Sequence, residues 1–428
     1  MNRFWFAVFL ILFSGSFAQE NSEGLTPLMQ AVLNLDDVAV TSLLKSGVDV
    51  NERDERGETA LMKIPFGRYY QPDFIRVFEM LLEAGGDVAL RDNDGATALM
   101  FAALYCQPLL VNLYVNAGSD VNAVDAKGYT PLMFAMNTER RCYVEEYRDV
   151  VYYLLEHGAN VQVSSSKGLT PLMQAANLSW LEMVEKMVEK GAEVNTQTRG
   201  GSSALSLAIR PAVHPVNIDA RVIHYLLDQG ADPTTDAVAE ALLHVAQFPP
   251  YDLTIVEVLA KAGANINYWP SKSSPYPNYT FPLITSVVKR QDGKVLRVLI
   301  QQGADLEVRD DSGRTPLLWA GLSYNKCLSE FQGDGVEIIR LLVEGGANVN
   351  VRATPPDDWK DVCESSDTMF DTPLLQATKR GDVEAVKLLV SAGATVEAKD
   401  SQGWTALDFA VQTQQEEIVE VLLEASRE

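Results

Sequence analysis

The apolar and polar positions of this chain follow one pattern that recurs many times, and residues 168–195 show it in full. Leu172 and Met173 begin an apolar face with helical spacing, so a short helix is predicted there. Thr170 suits the N-cap, and Pro171 suits the first helical position because its missing N–H costs nothing there. The pattern therefore predicts a helix that begins at a defined residue.

A second apolar run in the same stretch predicts a second helix. Leu181, Val184 and Met187 share one helical face that can pack against the small side chains of the first helix. Gly191 follows this run and can end the helix in the left-handed conformation, which glycine adopts without strain. The two helices form an αα-hairpin, and an extended segment leads to the next unit.

The same unit recurs along the chain with a regular period. Threonine or serine stands at the helix start at Thr26, Thr59, Thr97, Thr130, Thr170, Ser203, Thr315, Thr372 and Thr405. The steps Thr26 to Thr59, Thr97 to Thr130, Thr170 to Ser203 and Thr372 to Thr405 are each 33 residues. The second helices end in a Leu-Leu-x-x-Gly-Ala pattern, as in residues 154–159 and 226–231. This period, the Thr-Pro-Leu frame and this ending resemble the ankyrin repeat, which is about 33 residues long.

The resemblance covers nearly all of residues 24–425 and implies both a fold and a role. The implied fold is an all-α solenoid of about eleven helix-turn-helix units with β-hairpin or loop connections. The implied role is that of a non-enzymatic scaffold that binds another protein, whose identity the fold does not specify. One departure is systematic, since the signature histidine is replaced by an apolar residue at Met29, Met62, Met100, Met133, Met173, Leu318 and Leu375. Packing is expected to replace histidine hydrogen bonds there.

In ankyrin-like proteins the partner usually lies in a groove lined by the hairpin tips and the first helices. The corresponding tip positions here are Tyr129, Leu169, Arg314 and Trp404, and the ends of the first helices include Asn34, Tyr105, Asn177 and Lys379. The predicted partner-binding residues are Tyr105, Tyr129, Leu169, Arg314 and Trp404, because tip side chains are expected to face solvent and aromatic and arginine side chains are favoured as interface anchors.

Two irregular stretches offer a different kind of site. Residues 268–280 and 352–370 contain several prolines, which exclude helix, and they replace the usual short connection. They could form a pocket for a peptide or a small molecule, so a ligand receptor remains an alternative to the protein-binding scaffold.

The charge balance narrows the range of partners. The 428 residues carry 35 Lys plus Arg against 58 Asp plus Glu, a net charge of −23. This excess of negative charge argues against binding to nucleic acid and to anionic membrane surfaces. We expect a monomer that needs no cofactor.

The N-terminus reads as a secretion signal. Arg3 precedes an apolar run at residues 4–13, and Ser16 and Ala18 offer small residues at the cleavage positions. The run is shorter than the roughly 20 residues that a membrane span needs. We therefore expect a signal peptide at residues 1–18 and an exported ankyrin-repeat domain at residues 19–428, periplasmic or secreted, without membrane insertion after cleavage.

Four cysteines stand in two pairs of equal spacing. Cys106 and Cys142 are 36 residues apart, and so are Cys327 and Cys363. Export would permit disulfides, but three pairings can be drawn and four free thiols are the alternative. We predict the pairs Cys106 with Cys142 and Cys327 with Cys363, because the first two lie at corresponding turns of adjacent repeats.

No catalytic or metal-binding pattern stands out. Residues 164–167 match Ser-x-x-Lys without the companion motifs of that enzyme class, and residues 92–95 lack the later glutamate of a calcium loop. The four histidines are too scattered for a metal site and are interpreted as structural: His157, His214, His224 and His244. The sequence therefore favours a protein that is not an enzyme.

The N-terminal pattern generates a first prediction. Mature protein is expected to begin at Gln19 and to be found outside the cytoplasm. N-terminal sequencing or the intact mass of exported material measures this directly. Cytosolic protein that still begins at Met1 would contradict it.

Overall fold

The computed structural model describes residues 24–65, 73–136, 144–209, 218–247, 254–269, 281–322, 335–353 and 371–427. In these ranges the chain forms 21 α-helices and one 3-10 helix, and its only β pairings are two isolated antiparallel bridges. The expected all-α class is confirmed. None of the helices in the described ranges is both long enough and apolar enough to cross a membrane.

The helices pair into eleven consecutive repeats, each with a first and a second helix. The unit Met1–Ser166 contains α1 (Pro27–Leu33), α2 (Asp37–Lys45), the 3-10 helix (Ala60–Lys63), α3 (Asp73–Glu83), α4 (Ala98–Leu104), α5 (Pro108–Asn116), α6 (Pro131–Ala135) and α7 (Val144–Glu156). We call it unit 1, and it holds repeats one to four.

The second compact unit, Lys167–Glu428, holds repeats five to eleven and is called unit 2. Its helices are α8 (Pro171–Asn177), α9 (Leu181–Glu189), α10 (Ala204–Ile209), α11 (Ala220–Asp228), α12 (Asp236–Gln247), α13 (Thr254–Lys261), α14 (Leu283–Lys289), α15 (Gly293–Gln301), α16 (Pro316–Leu322), α17 (Gly335–Glu344), α18 (Pro373–Arg380), α19 (Val383–Ser391), α20 (Ala406–Gln412) and α21 (Glu416–Ala425). Within each unit, first helices pack on first helices and second helices on second helices of the neighbouring repeats.

Five helix starts in the described ranges show the predicted threonine cap, whereas the buried hydroxyls of Thr59 and Thr97 make no hydrogen bond there. In α8 the backbone N–H of Met173 donates to Thr170 Oγ1 at 3.2 Å, and Pro171 occupies the first turn. The same threonine cap begins α1, α6, α18 and α20. Each cap satisfies one of the backbone N–H groups that a helix start leaves without an internal partner, a contribution of typically about 1 kcal/mol.

The residues that replace the signature histidine are all buried, as the sequence led us to expect. Met29, Met100 and Met133 have no exposed surface, and Leu318 and Leu375 are almost completely buried. These side chains fill the space between first helices, where burial of apolar area is the main source of stability.

Asparagine side chains tie successive repeats together along the extended segments. Asn51 Nδ2 donates to Gly85 O at 3.0 Å, while Asn51 Oδ1 accepts from Asp87 N at 2.8 Å. The same pair of bonds is made by Asn122, Asn195, Asn267 and Asn350. A single side chain thus satisfies backbone groups of the next repeat, which fixes the register of the stack.

Repeat two differs from the predicted frame. Thr59 is followed by a single 3-10 turn, Ala60–Lys63, in place of an α-helix. Ile64 has an extended ψ of 122°, since it precedes Pro65 and the residue before proline is disfavoured in the α region. The local sequence therefore cuts this first helix short.

The turn between the two helices of a repeat uses a left-handed residue that is seldom glycine. Leu35, Cys106, Ser179, Gln291 and Gln414 have φ between 50° and 57° at this position. Repeat ten has Gly381 there, with φ 72°. The left-handed conformation costs a non-glycine residue about 1–2 kcal/mol, so tertiary packing holds these turns against a local penalty.

This turn generates a matched pair of variants. Gln414→Gly removes the strain at an exposed site and is expected to stabilise the protein by about 1 kcal/mol, whereas Gly381→Ala introduces the same strain and should destabilise it by a similar amount. Urea unfolding of both variants measures the two effects. Equal and small changes in the same direction would show that the turn conformation carries no cost.

Candidate protein-binding surface

An aspartate closes the turn that precedes five of the first helices that the structure describes. In repeat four, Asp125 Oδ1 accepts from the backbone N–H groups of Lys127 at 2.9 Å and Tyr129 at 2.7 Å. The backbone of the same aspartate donates to Tyr129 O at 3.0 Å. We call the residues with this role the turn aspartates, and they are Asp54, Asp92, Asp125, Asp310 and Asp400. Because one carboxylate oxygen is used by the turn, the orientation of the other is fixed.

In repeats two and nine, the second oxygen of the turn aspartate points to a residue of the first helix of its own repeat, nine positions later. Asp54 Oδ2 lies 3.1 Å from Lys63 Nζ, and Asp310 Oδ2 accepts from Trp319 Nε1. This residue is the fourth of the first helix, and we call it the N4 residue. The equivalent N4 residues in repeats three, four and eleven are Phe101, Phe134 and Phe409, which have no polar group to offer the carboxylate.

The residue just before the N-cap, called here the N′ residue, packs against the N4 residue. Tyr129 meets Phe134 edge to face with ring centroids 6.1 Å apart, and the Arg314 guanidinium lies 5.2 Å from the Trp319 ring. In repeat two the same pair is an ion pair between Glu58 and Lys63. Contact between N′ and N4 is the staple geometry of helix starts.

Unit 1 presents aromatic rings on this face. Phe101 and Phe134 are both partly buried and pack on one small cluster formed by Ala96, Met100 and Ala123. Tyr129 is half-buried against Phe134, and burial raises the pKa of its hydroxyl. We call Phe101, Tyr129 and Phe134 the aromatic patch of unit 1.

Unit 2 places a lysine on the corresponding face of repeat eight. Lys289 Nζ lies 3.5 Å from the centre of the Phe281 ring and 3.9 Å from that of Trp319. The two rings meet at 84° with centroids 5.3 Å apart. A cation held over ring faces is stabilised by their quadrupoles, so Lys289 links the N′ residue of its own repeat to the N4 residue of the next.

A second lysine of unit 2 takes the same position in repeat ten. Lys379 Nζ lies 3.0 Å from Asp371 Oδ1 and 2.9 Å from Asp400 Oδ2, and 6.0 Å from the centre of the Phe409 ring. Asp371 is the N′ residue of this repeat and Asp400 is the turn aspartate of the next. The lysine therefore neutralises carboxylates from two repeats.

The two carboxylates of the triad formed by Lys379, Asp371 and Asp400 have pKa values shifted in opposite directions. Burial raises the pKa of Asp371 to about 6, while the pKa of Asp400 stays below its usual range because backbone N–H groups and Lys379 outweigh the cost of its burial. Burial opposes the charge on Lys379 as well, but hydrogen bonds to Asp400 and Asp371 raise its pKa above the usual value. Asp371 is thus the group of the triad that takes up a proton first as pH falls.

The predicted binding residues differ in how much of each side chain is exposed to solvent. Trp404 is exposed over 37% of its surface, and Tyr105, Tyr129 and Leu169 are partly buried. The expectation that tip side chains face solvent is wrong for Arg314, which is 1% exposed, because its side chain lies against Trp319 and its backbone is held by Asp310. Of the remaining first-helix ends, Asn34 is exposed, Asn177 is partly buried and Lys379 lies in the ion pairs above. The N4 residues were missed, although the spacing of five residues from N′ to N4 signals their contact.

Cys106 is buried and disulfide-bonded. Cys142, Cys327 and Cys363 lie outside the described residues, so the predicted pairing stays a prediction. Among the residues that the structure describes, no group of three histidine, cysteine, aspartate or glutamate side chains is placed to hold a metal ion.

Comparison with known families identifies the repeats. The model for ankyrin repeats in three copies matches residues 70–165, 141–237 and 333–428, and the model for a single ankyrin repeat matches residues 23–55. The chain therefore belongs to the ankyrin repeat family. Ankyrin repeats are protein-interaction modules, and this scaffold role is the part of the function that the family defines.

The chain is also similar to parts of larger proteins. It is 36% identical over 115 residues to XBAT34, a candidate E3 ubiquitin-protein ligase of Arabidopsis thaliana, covering 27% of this chain and 25% of the relative. It is 26% identical over 270 residues to the E3 ubiquitin-protein ligase KEG of the same plant, covering 54% and 15%. It is 27% identical over 129 residues to the tyrosine-protein kinase HTK16 of Hydra vulgaris, covering 30% and 14%. The chain thus spans a quarter or less of the length of these relatives.

The buried carboxylate of Asp371 generates a prediction about pH. Its pKa rises from 3.8 to about 6 on folding, so the folded state holds this proton more tightly than the unfolded state does. The stabilisation by the proton is complete below about pH 4 and is lost as pH rises through 6, by up to about 3 kcal/mol. Asp371→Asn should remove this loss, which urea unfolding of both proteins at pH 4 to 7 measures.

Asp408→Asn is the control with the opposite sign. Hydrogen bonds from the Thr405 backbone and hydroxyl lower the pKa of Asp408, so its stabilisation is lost as pH falls. A stability difference between wild type and Asp371→Asn that does not change with pH would contradict the prediction.

Proposed function

We propose that this chain is a non-enzymatic, exported scaffold that holds a partner protein along the face formed by its turns and first helices. The observation that carries the proposal is the contrast between the residues that stabilise the stack, called here the frame, and the residues on the proposed binding face. The threonine caps, the buried methionines and the asparagine bridges each recur in five of the described repeats with the same residue type and, for the caps and the bridges, the same hydrogen bonds. The N′ and N4 positions vary more: the N′ residue is glutamate, alanine, tyrosine, arginine, aspartate or tryptophan in different repeats, and the N4 residue is lysine, phenylalanine, glutamine or tryptophan, as expected where side chains contact a partner.

The aromatic content of this face supports binding. Phe101, Tyr129 and Phe134 in unit 1 remain partly exposed, and Trp404 in unit 2 is more exposed than they are. Aromatic side chains are the commonest anchors of protein interfaces, because they bury a large area at a low cost in conformational entropy. Exposed rings at the positions that vary are better explained by a partner than by packing.

The relatives support a binding role over a catalytic one. Their names give them different activities, those of ubiquitin ligases and of a tyrosine-protein kinase. Similarity to this chain is therefore shared by proteins of unlike chemistry, which is expected of a binding module.

Export is supported by two observations. Arg3 and the apolar run at residues 4–13 have the order of a secretion signal. The disulfide bond of Cys106 is the kind of cross-link that persists in oxidising compartments and is rare in the cytosol. Both observations agree with a periplasmic or secreted protein.

The proposal predicts that substitutions on the binding face weaken partner capture, whereas substitutions in the frame lower stability. Trp404→Ala should weaken partner capture at least several-fold while changing the free energy of unfolding by about 1 kcal/mol or less, because the ring is partly in solvent. Leu172→Ala should cost about 2–5 kcal/mol through a cavity, since Leu172 is 1% exposed. Cross-linking of the mature protein to exported proteins, followed by mass spectrometry, measures capture and locates the contact.

Two outcomes would overturn this assignment. Cross-links confined to the second helices would exclude the proposed face. Normal capture by the Trp404 and Tyr129 alanine variants, together with loss of capture when residues 268–280 are shortened, would favour the ligand pocket described above.

A further inference from the structure

Unit 2 uses one position twice to hold a cation between consecutive repeats. Lys289 and Lys379 each stand seven residues after an N-cap, at Pro282 and Thr372 respectively. Each ammonium reaches the N4 ring of the following repeat, and Lys379 also reaches the turn aspartate of that repeat, Asp400. The ring supplies its electron-rich face and the aspartate supplies a charge, so the pair is a built receptor for a cation.

The junction between repeats three and four in unit 1 has a ring and a turn aspartate at the same two positions, with a different residue at the lysine position. Phe134 is the N4 ring and Asp125 is the turn aspartate, as Phe409 and Asp400 are in unit 2. Seven residues after the N-cap Thr97 stands Leu104, which carries no charge. The N′ residue of repeat three is the small Ala96, so no acidic or aromatic side chain stands there either.

The ring and the carboxylate of this junction are accessible, and other carboxylates lie near them. Phe134 and Asp125 are both partly exposed. Burial raises the pKa of the neighbouring Asp92, and the charges of Asp94 and Asp125 raise it further. The charges of Asp94 and Asp125 thus oppose the charge of Asp92, and a bound cation would relieve that repulsion.

We propose that the Asp125–Phe134 pair binds an arginine or lysine side chain of the partner protein, in the place where unit 2 holds its own lysines. The inference rests on the proposed function and names the chemistry of the partner, which is a basic segment. The net charge of −23 favours the approach of such a segment. A guanidinium suits the site best, since it can stack on the ring and donate to the carboxylate at the same time.

The repeat spacing sets the form of the partner segment. Asp92 and Phe101 hold the turn-aspartate and N4 positions of the adjacent repeat, and neighbouring helices are about 8–10 Å apart. A proline-rich chain in the polyproline II conformation has three residues per turn and advances about 3.1 Å per residue, so two basic side chains three residues apart share one face and span that distance. The probe is therefore a labelled Pro/Ala peptide with arginines at positions i and i+3, and its matched control has glutamine at both.

Fluorescence anisotropy of the full mature chain at low salt tests the proposal. The arginine peptide should bind and the glutamine peptide should not, and binding should weaken as salt rises. Asp125→Asn keeps the acceptor for the turn and removes the charge, and Phe134→Leu removes the ring, so each should weaken binding about tenfold. Glu156→Gln, an equal charge change at the exposed end of α7, is the control and should bind as wild type does.

Leu104→Lys provides the opposite test. It recreates the arrangement of Lys379, so its own ammonium should occupy the site, abolish peptide binding and raise the melting temperature. Equal binding by Asp125→Asn and Glu156→Gln, or undiminished binding by Leu104→Lys, would overturn the proposal. A natural partner that cross-links to the first helices but binds the Asp125→Asn and Phe134→Leu variants as tightly as wild type would also overturn the proposal. The scaffold function would then still stand.

Discussion

The carboxylate of the turn aspartate is the interaction on which the rest of the binding face depends. One oxygen closes the turn through two backbone N–H groups, as Asp125 does for Lys127 and Tyr129. The turn then fixes the direction of the other oxygen, which lies over the fourth residue of the first helix in repeats two and nine. The geometry recurs while the side chains near that oxygen change, so the negative charge of the turn aspartate is paired with different groups in different repeats. A lysine, an indole N–H or a neighbouring repeat can satisfy the charge.

These different pairings divide the face into residues that stabilise the stack and residues that are available to a partner. Lys63, Lys289 and Lys379 are held by carboxylates or rings of the chain itself, so their charges stabilise the stack and are not available to a partner. Such pairs are partly buried, and loss of one partner leaves a desolvated charge that is costly. The repeats with Phe101 and Phe134 carry rings and carboxylates without a lysine at the corresponding position. Stabilising and binding roles therefore use one geometry, and the identity of a single side chain decides between them.

The sequence predicted the frame well because the frame is made by local interactions. Thr170, Pro171 and Gly191 act within one helix or one turn, and their effects do not depend on the distant chain. The shortened first helix of repeat two has an equally local cause in Pro65. The left-handed residues between the helices were not predicted, since leucine and glutamine do not favour that conformation. Packing of both helices imposes it on them.

The sequence alone therefore determined the repeat, its period, its caps and its buried apolar positions, since each follows from residues within about four positions or from apolar periodicity. Tertiary structure alone decided which tip side chains reach solvent and which charges are paired. Arg314 and Trp404 occupy equivalent positions in the sequence, yet one is buried and the other exposed. The pairing of Lys379 with Asp400, and of Lys289 with Trp319, joins residues of different repeats. Such contacts depend on how one repeat is stacked on the next, and no local propensity encodes that distance.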